Sequence, residues 1–196
     1  IGEFAFSKTA FTTLTLPEGL VSIGVEAFKG NAALASVTIP STVTDIGKYA
    51  FANTALTAIT FAAADTATTP LSINDYAFAN NTALTEITLP KRLERIYDAV
   101  TLGSGISATT TYTVFEGCTA LENIFVVDGC EKFSDVGGVI YENNENGQPD
   151  KLLYCPRGKK GEVTVPSSVT LVYNMAFLDT KVQRVVFEEM ANWNGE

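Results

Sequence analysis

At 196 residues, 46% hydrophobic and 18% charged, the chain has the composition of a packed protein rather than a disordered one. Its 13 basic and 22 acidic residues leave a net charge of −9, which argues against nucleic acid and anionic membrane surfaces as partners, because both need clustered Lys and Arg. The sequence holds no histidine, which removes Ser/His/Asp and Cys/His nucleophilic sites, His-ligated metals and His general bases, and leaves only carboxylate, Lys or Tyr chemistry.

The opening residues IGEFAF (1–6) return as IGVEAF (23–28), IGKYAF (46–51) and INDYAF (73–78), and more loosely as LVYNMAF (171–177). A phrase that recurs at a near-fixed interval marks a repeating structural unit. The chain starts inside such a unit, so it is expected to belong to a longer repeat array. The absence of a charged and apolar leader therefore carries no weight. No run of about 18 apolar residues offers a membrane span.

Between these phrases the columns are regular. Leucine-type positions are followed five residues later by a second apolar position, as in Leu34 to Ile39, Leu56 to Phe61 and Leu84 to Leu89. Pro17, Pro40, Pro90 and Pro166 come next, and Ile23, Ile46, Ile96 and Val172 stand six residues after each proline. A unit is thus about 23 residues long. Segments such as SVTIP (36–40) and EITLP (86–90) alternate apolar and polar residues with β-branched side chains, the pattern of a half-buried strand. Proline cannot donate to a sheet ladder, so it ends each strand at a corner.

Strands are accordingly predicted near 14–16, 37–39, 59–61, 87–89, 124–126, 163–165 and 185–187, stacked into one continuous parallel sheet. The IGxxAF phrase runs back across the core, where Gly24 and Gly47 relieve crowding. Each coil is too thin to bury its own Phe, Leu and Ile columns, so coils must stack, and Phe28, Phe51, Phe78 and Phe177 are predicted core. Asn31, Asn81 and Cys118 share a column in the turn after Phe, where a polar side chain can satisfy backbone groups of an adjacent coil.

Three places break the period: residues 62–70, residues 101–113, and an irregular repeat at about 127–165. Insertions of this kind map to loops, and loops often bind; the first two read better as tolerated drift at a solvent-exposed turn, which loop-closure entropy punishes little. ENNENGQPD (142–150) has some features of a calcium loop but lacks the bidentate closing Glu, with Leu153 in its place. Asn146-Gly147 between VIY and KLLY reads instead as a hairpin tip. Glu188 and Glu189, adjacent in a strand, point to opposite faces and cannot act as an acid/base pair unaided, and these two, like Asp128 with Asp135, are better read as solvated charge. Cys118, Cys130 and Cys155 match no zinc spacing. Cys118 is predicted to be a buried thiol, while Cys130 and Cys155 either bridge or stay free.

The segment IPSTVTDIGKYAFANTALTAITF (39–61) resembles the BspA-type leucine-rich repeat of bacterial and protist surface proteins. DVGGVIY…KLLYCPRGKKGEVTVPSSVTLVYNMAF (135–177) is similar to the longer irregular repeat of that family, with its hairpin and its turn of the Tyr-Pro-x-Gly kind. Departures are LVY (171–173) for Ile-Gly and Cys155 for an aromatic residue. The expected fold is a β-rich solenoid over residues 1–196 as a single domain. It is a leucine-rich repeat, right-handed coil with one parallel sheet, short turns and few or no long helices.

What the resemblance implies is a secreted or cell-surface, extracellular module for adhesion or protein recognition, binding host or bacterial surface proteins through its sheet face. A carbohydrate-binding or structural spacer segment is the alternative. A carboxylate enzyme is disfavoured by the missing histidines and by the lack of a cofactor motif, so no cofactor or metal is expected. The outward strand positions form the candidate face. Thr88, Phe125, Thr164 and Val186 lie in one file, and Glu86, Asn123, Glu162 and Arg184 in its neighbour. Phe125 and Val186 are the exposed apolar anchors, with Arg184 and Glu162 as a polar rim.

Overall fold

The computed structural model describes residues 1–62, 69–96 and 114–189. The inserted stretch 101–113 lies outside the described residues, as do 63–68 of the first insertion. The strands are β1 (Ser22–Ile23), β2 (Ser36–Ile39), β3 (Asp45–Ile46), β4 (Ala58–Phe61), β5 (Leu71–Ile73), β6 (Glu86–Leu89), β7 (Leu93–Arg95), β8 (Asn123–Val126), β9 (Phe133–Val136), β10 (Val139–Asn143), β11 (Pro149–Tyr154), β12 (Lys160–Val165), β13 (Leu171–Val172) and β14 (Lys181–Phe187). No helix occurs among the described residues. The molecule is a β-solenoid of leucine-rich coils.

Alternation sets the register. Val37, Ile39, Ile87, Leu89 and Ile124 point into the core, and their neighbours Ser36, Thr38, Glu86 and Thr88 point out. Parallel ladders join β2 to β4, β6 to β8 and β12 to β14. These are three separate two-stranded sheets rather than the single continuous one that the repeat implies. One break falls between β4 and β6, in the coil that carries the inserted residues 62–70. The other falls where the irregular repeat interposes its hairpin. Residues 14–16 keep the burial alternation but form no strand, because they lie at the outer edge of the stack and make no ladder with β2.

A second parallel sheet, β1-β3-β5-β7, runs along a different side of the coil. Its strands are two or three residues long and occupy the Val-x-x-Ile stretch after each proline, too short to show a period of their own.

The IGxxAF phrase is a tight double turn. Its second x takes a left-handed φ in successive coils, at Phe4 (56°), Glu26 (53°), Tyr49 (58°) and Tyr76 (57°). This conformation costs about 1–2 kcal/mol for an L-residue, and coil stacking holds it. Phe4 N–H donates to the Val25 carbonyl (2.9 Å), Phe6 to Ala27 (2.8 Å) and Lys8 to Lys29 (2.7 Å). The next pairs, Phe28 to Ala50 and Phe51 to Ala77, repeat the rule at 2.8 Å each. Gly24 and Gly47 are required by proximity: a Cβ on Gly47 would stand 2.7 Å from the Gly24 carbonyl carbon.

The rings of Phe6, Phe28, Phe51, Phe78 and Phe115 stack coil on coil, with centroids 5.1–5.9 Å apart. Phe28, Phe51 and Phe78 are fully buried. Phe177 is only half-buried, since no further coil covers its outer side among the described residues. The Asn column closes the turn. Asn31 Nδ2 donates to the carbonyls of Phe6 and Phe28, and Asn81 Nδ2 to those of Phe51 and Phe78. Each amide therefore ties two consecutive coils together. Cys118 takes the same place with a weaker Sγ contact to the Phe78 carbonyl (3.2 Å).

The irregular repeat builds the antiparallel run β9-β10-β11, to which β13 adds in parallel. Its tip is the Asn-Gly turn predicted from sequence, where Asn144 Oδ1 accepts from the N–H groups of Asn146 and Gln148. The hairpin is a wall between two cores. Ile140, Leu153 and Tyr154 join the core of the regular coils, while Val139, Tyr141, Leu152 and Cys155 join that of β12 and Val169. Cys130 belongs to the first core and Cys155 to the second, and all three cysteines are buried free thiols.

Candidate functional site

The outward face is divided by the hairpin. On β6 and β8, Glu86 stands opposite Asn123 and Thr88 opposite Phe125. On β12 and β14, Glu162 stands opposite Arg184 and Thr164 opposite Val186. These two pairs of pairs are not one continuous file. The β9–β10 turn docks beside β8, with Ile124 N–H donating to the Gly138 carbonyl (2.9 Å). Lys159 Nζ clamps the junction by donating to Asn123 Oδ1 (2.8 Å) and to the Gly137 carbonyl. Asn123 is thus committed to holding the irregular repeat rather than free for a ligand.

Phe125 is 37% exposed, an aromatic group with a neighbouring Thr on one side and open solvent in front. Val186 departs from the sequence reading: it is half-buried on its file, and the exposed apolar residues of β14 are Val185 and Phe187. Those two are core-facing by register, opposite the buried Val163 and Val165, and are uncovered because β14 is the last strand of its sheet. Arg184 and Glu162 form an ion pair of 3.0 Å with both side chains largely in water, a contact worth at most about 1 kcal/mol. Asp135 is not simply solvated. Its carboxylate accepts from the N–H groups of Val126 (2.9 Å) and Gly138 (3.3 Å) and so fixes the end of β8.

The break between β4 and β6 opens a groove of about 1100 Å³. Thr60 and Thr88 stand on its two walls, and Lys91, Arg92, Glu131 and Lys132 gather at the end toward the Pro90 corner. Arg92 is partly spent as a staple: its guanidinium donates to the Val43 (2.6 Å) and Pro40 (3.3 Å) carbonyls, and burial lowers its pKa. The groove is not legible from the repeat, because the columns fix positions within a coil and say nothing of the separation between β4 and β6. Phe125 lies one strand away, across from Thr88.

A second surface feature also escapes the column reading. Tyr49 and Tyr76 stack at 4.8 Å on the turn side, with Lys48 5.5 Å and 5.7 Å from the two rings and Lys29 4.8 Å from Tyr49. The signal is present in IGKYAF and INDYAF, where tyrosine recurs at the same place.

A stack of leucine-rich coils with an outward polar face and a groove defines a leucine-rich repeat protein. The chain belongs to the BspA-type leucine-rich repeat family, whose model matches six copies over residues 1–136. Among solved structures it is similar to the pneumococcal vaccine antigen PcpA, at 22% identity and a TM-score of 0.76 over 96% of this chain and 42% of that one. It is also similar to a leucine-rich repeat protein from Eubacterium ventriosum (25% identity, TM-score 0.51, 86% of this chain and 48% of that one). A leucine-rich cell surface protein from Faecalibacterium prausnitzii matches at 23% identity and a TM-score of 0.57, over 84% of this chain and 44% of that one. The chain thus spans less than half the length of each of these relatives. No curated protein matches it.

Proposed function

We propose that the chain is a non-catalytic recognition module of a bacterial surface protein, whose outward sheet face binds a host or bacterial surface protein. The observation that carries this reading is the groove between β4 and β6 with the exposed ring of Phe125 one strand away. A cleft flanked by threonines, with an aromatic anchor beside it and charged residues at its end, has the composition of a protein interface: an apolar centre and a polar rim. Membership of a family with cell-surface relatives supports the compartment, and the extended face of a solenoid suits a protein ligand. Adhesion is the process such a module would serve.

The test is binding of the chain to panels of host extracellular proteins, bacterial surface proteins and glycans, followed by Phe125→Ala. Loss of about 2 kcal/mol or more in affinity for a protein hit, with the thermal midpoint unchanged, is the expected result. Hits confined to glycans, or a protein hit indifferent to Phe125→Ala and to Thr88→Arg in the groove wall, would remove this face from consideration.

A further inference from the structure

Each laddered pair on the outward face closes with the same hydrogen bond. The residue after the second strand donates its N–H to the last carbonyl of the first: Ala62 to Ile39 (2.8 Å), Val127 to Leu89 (3.0 Å) and Glu188 to Val165 (3.0 Å). Across the gap between β4 and β6 the residue in that place is Pro90, which has no N–H. The Phe61 carbonyl therefore lacks the donor that the other junctions supply. The far end of the gap is open as well. Thr57 N–H donates to Ala35 (2.9 Å) and Glu122 N–H to Thr85 (2.8 Å), yet Thr85 N–H makes no such bond to the Thr57 carbonyl. No ladder joins the two strands in between.

Backbone groups along a strand point alternately to its two neighbours. β4 spends one set on β2, and β6 spends one set on β8. The other sets face each other across the groove, which is lined entirely by described residues. Two such edges are a template for a further strand. The same coils stay laddered on the side of β3 and β5, so the gap is a wedge that opens outward. The buried Ile59 and Ile87 line its depth and the exposed Thr60 and Thr88 its rim. Charge adds a direction. In a chain of net charge −9, Lys91, Arg92 and Lys132 gather at the Pro90 end against Glu94 and Glu131. Lys132 lies 3.8 Å from Glu94, while Lys91 has no ion pair among the described residues.

We propose that the groove takes up an extended peptide segment of a partner protein as an additional strand. Its main chain pairs with β4 on one side and β6 on the other, and an acidic group at its end sits beside Lys91. Each pairing takes about 4.8 Å, so the wedge widens as the strand enters. β2, β4, the peptide, β6 and β8 then form one sheet. In strand addition of this kind main-chain bonds supply affinity, and pockets for alternate side chains supply specificity. This site rests on the reading of the outward face as a recognition surface, and it narrows what is recognised to an exposed main chain. It does not need the ring of Phe125.

The probe is a fluorescently labelled hexapeptide of alternating threonine and valine ending in aspartate, followed by anisotropy. It should bind saturably and slow hydrogen exchange at the amides of Thr85, Glu86 and Thr88. The same peptide N-methylated on its valines should not bind, and a form ending in lysine should bind more weakly. Pro90→Ala supplies the missing donor to the Phe61 carbonyl and lets β4 and β6 close. It should lower affinity for the aspartate peptide about tenfold or more while keeping the wild-type circular dichroism. Should that variant fail to fold, the N-methylated peptide decides on the wild-type chain alone. Phe125→Ala should leave peptide binding unchanged, so this site and the Phe125 reading fail separately. No saturable binding of the aspartate peptide overturns the inference. So does equal binding of the N-methylated or lysine form, wild-type affinity in folded Pro90→Ala, or loss of peptide binding in Phe125→Ala.

Discussion

The hydroxyl of Tyr141 is sealed within the second core without a hydrogen-bond partner among the described residues, and burial raises its pKa. A buried hydroxyl left unpaired costs about 1–3 kcal/mol, and removing it leaves the ring packing intact. Tyr141→Phe should therefore stabilise the fold by roughly 1 kcal/mol in urea denaturation; a loss of stability would mean the hydroxyl is satisfied. The thiols make a second residue-level case. Burial pushes Cys118 and Cys155 from an ordinary 9.0 up to about 12. Between those values the unfolded chain has released thiol protons that the folded one keeps, so their contribution is whole below pH 9.0 and is lost as pH rises toward about 12. Denaturation midpoints should fall over that window, and Cys118→Ala with Cys155→Ala should flatten the fall. Native protein should resist maleimide at neutral pH, and all three thiols should react once it is unfolded.

At the scale of the coil, the junction between phrases is set by backbone contact. Gly47 leaves no room for a methyl group against Gly24, so Gly47→Ala should cost about 1–3 kcal/mol by forcing the coils apart; a neutral outcome in chemical denaturation would show that the stack yields there. Much of this element was legible beforehand. Phe28, Phe51 and Phe78 were marked by the AF phrase, Asn31 and Asn81 by their shared column, and the hairpin by Asn146-Gly147, because side-chain period and turn chemistry are local signals. What escaped is relational. The short strands of the second sheet are defined only by their neighbours, and the split of the outer sheet depends on the spacing between coils rather than on the columns within one. Val186 is half-buried rather than exposed for the same reason: alternation says which way a side chain points, but exposure also depends on what stands next to it. Phe125 faces outward, as alternation implies, because β6 and β8 are regular neighbours.

Across the whole molecule, the hairpin wall contributes to both cores, with Leu153 facing one and Leu152 the other. Coils otherwise depend on adjacent coils, and stability in such a stack is close to a sum of local and nearest-neighbour contributions. Phe51→Ala empties an aromatic site amid the regular coils and should cost about 3–5 kcal/mol. Its effect should be graded with distance. In hydrogen exchange, amides of β1, β3 and β5 should lose the most protection, and those of β12 and β14 should lose little. Leu153→Ala, costing about 2–5 kcal/mol, acts on the shared wall and should lower protection on both sides of it. If Phe51→Ala instead lowers β12 and β14 as much as β3, the chain unfolds as a single unit and the wall partitions nothing. If Leu153→Ala affects only the regular coils, the wall does not couple the cores.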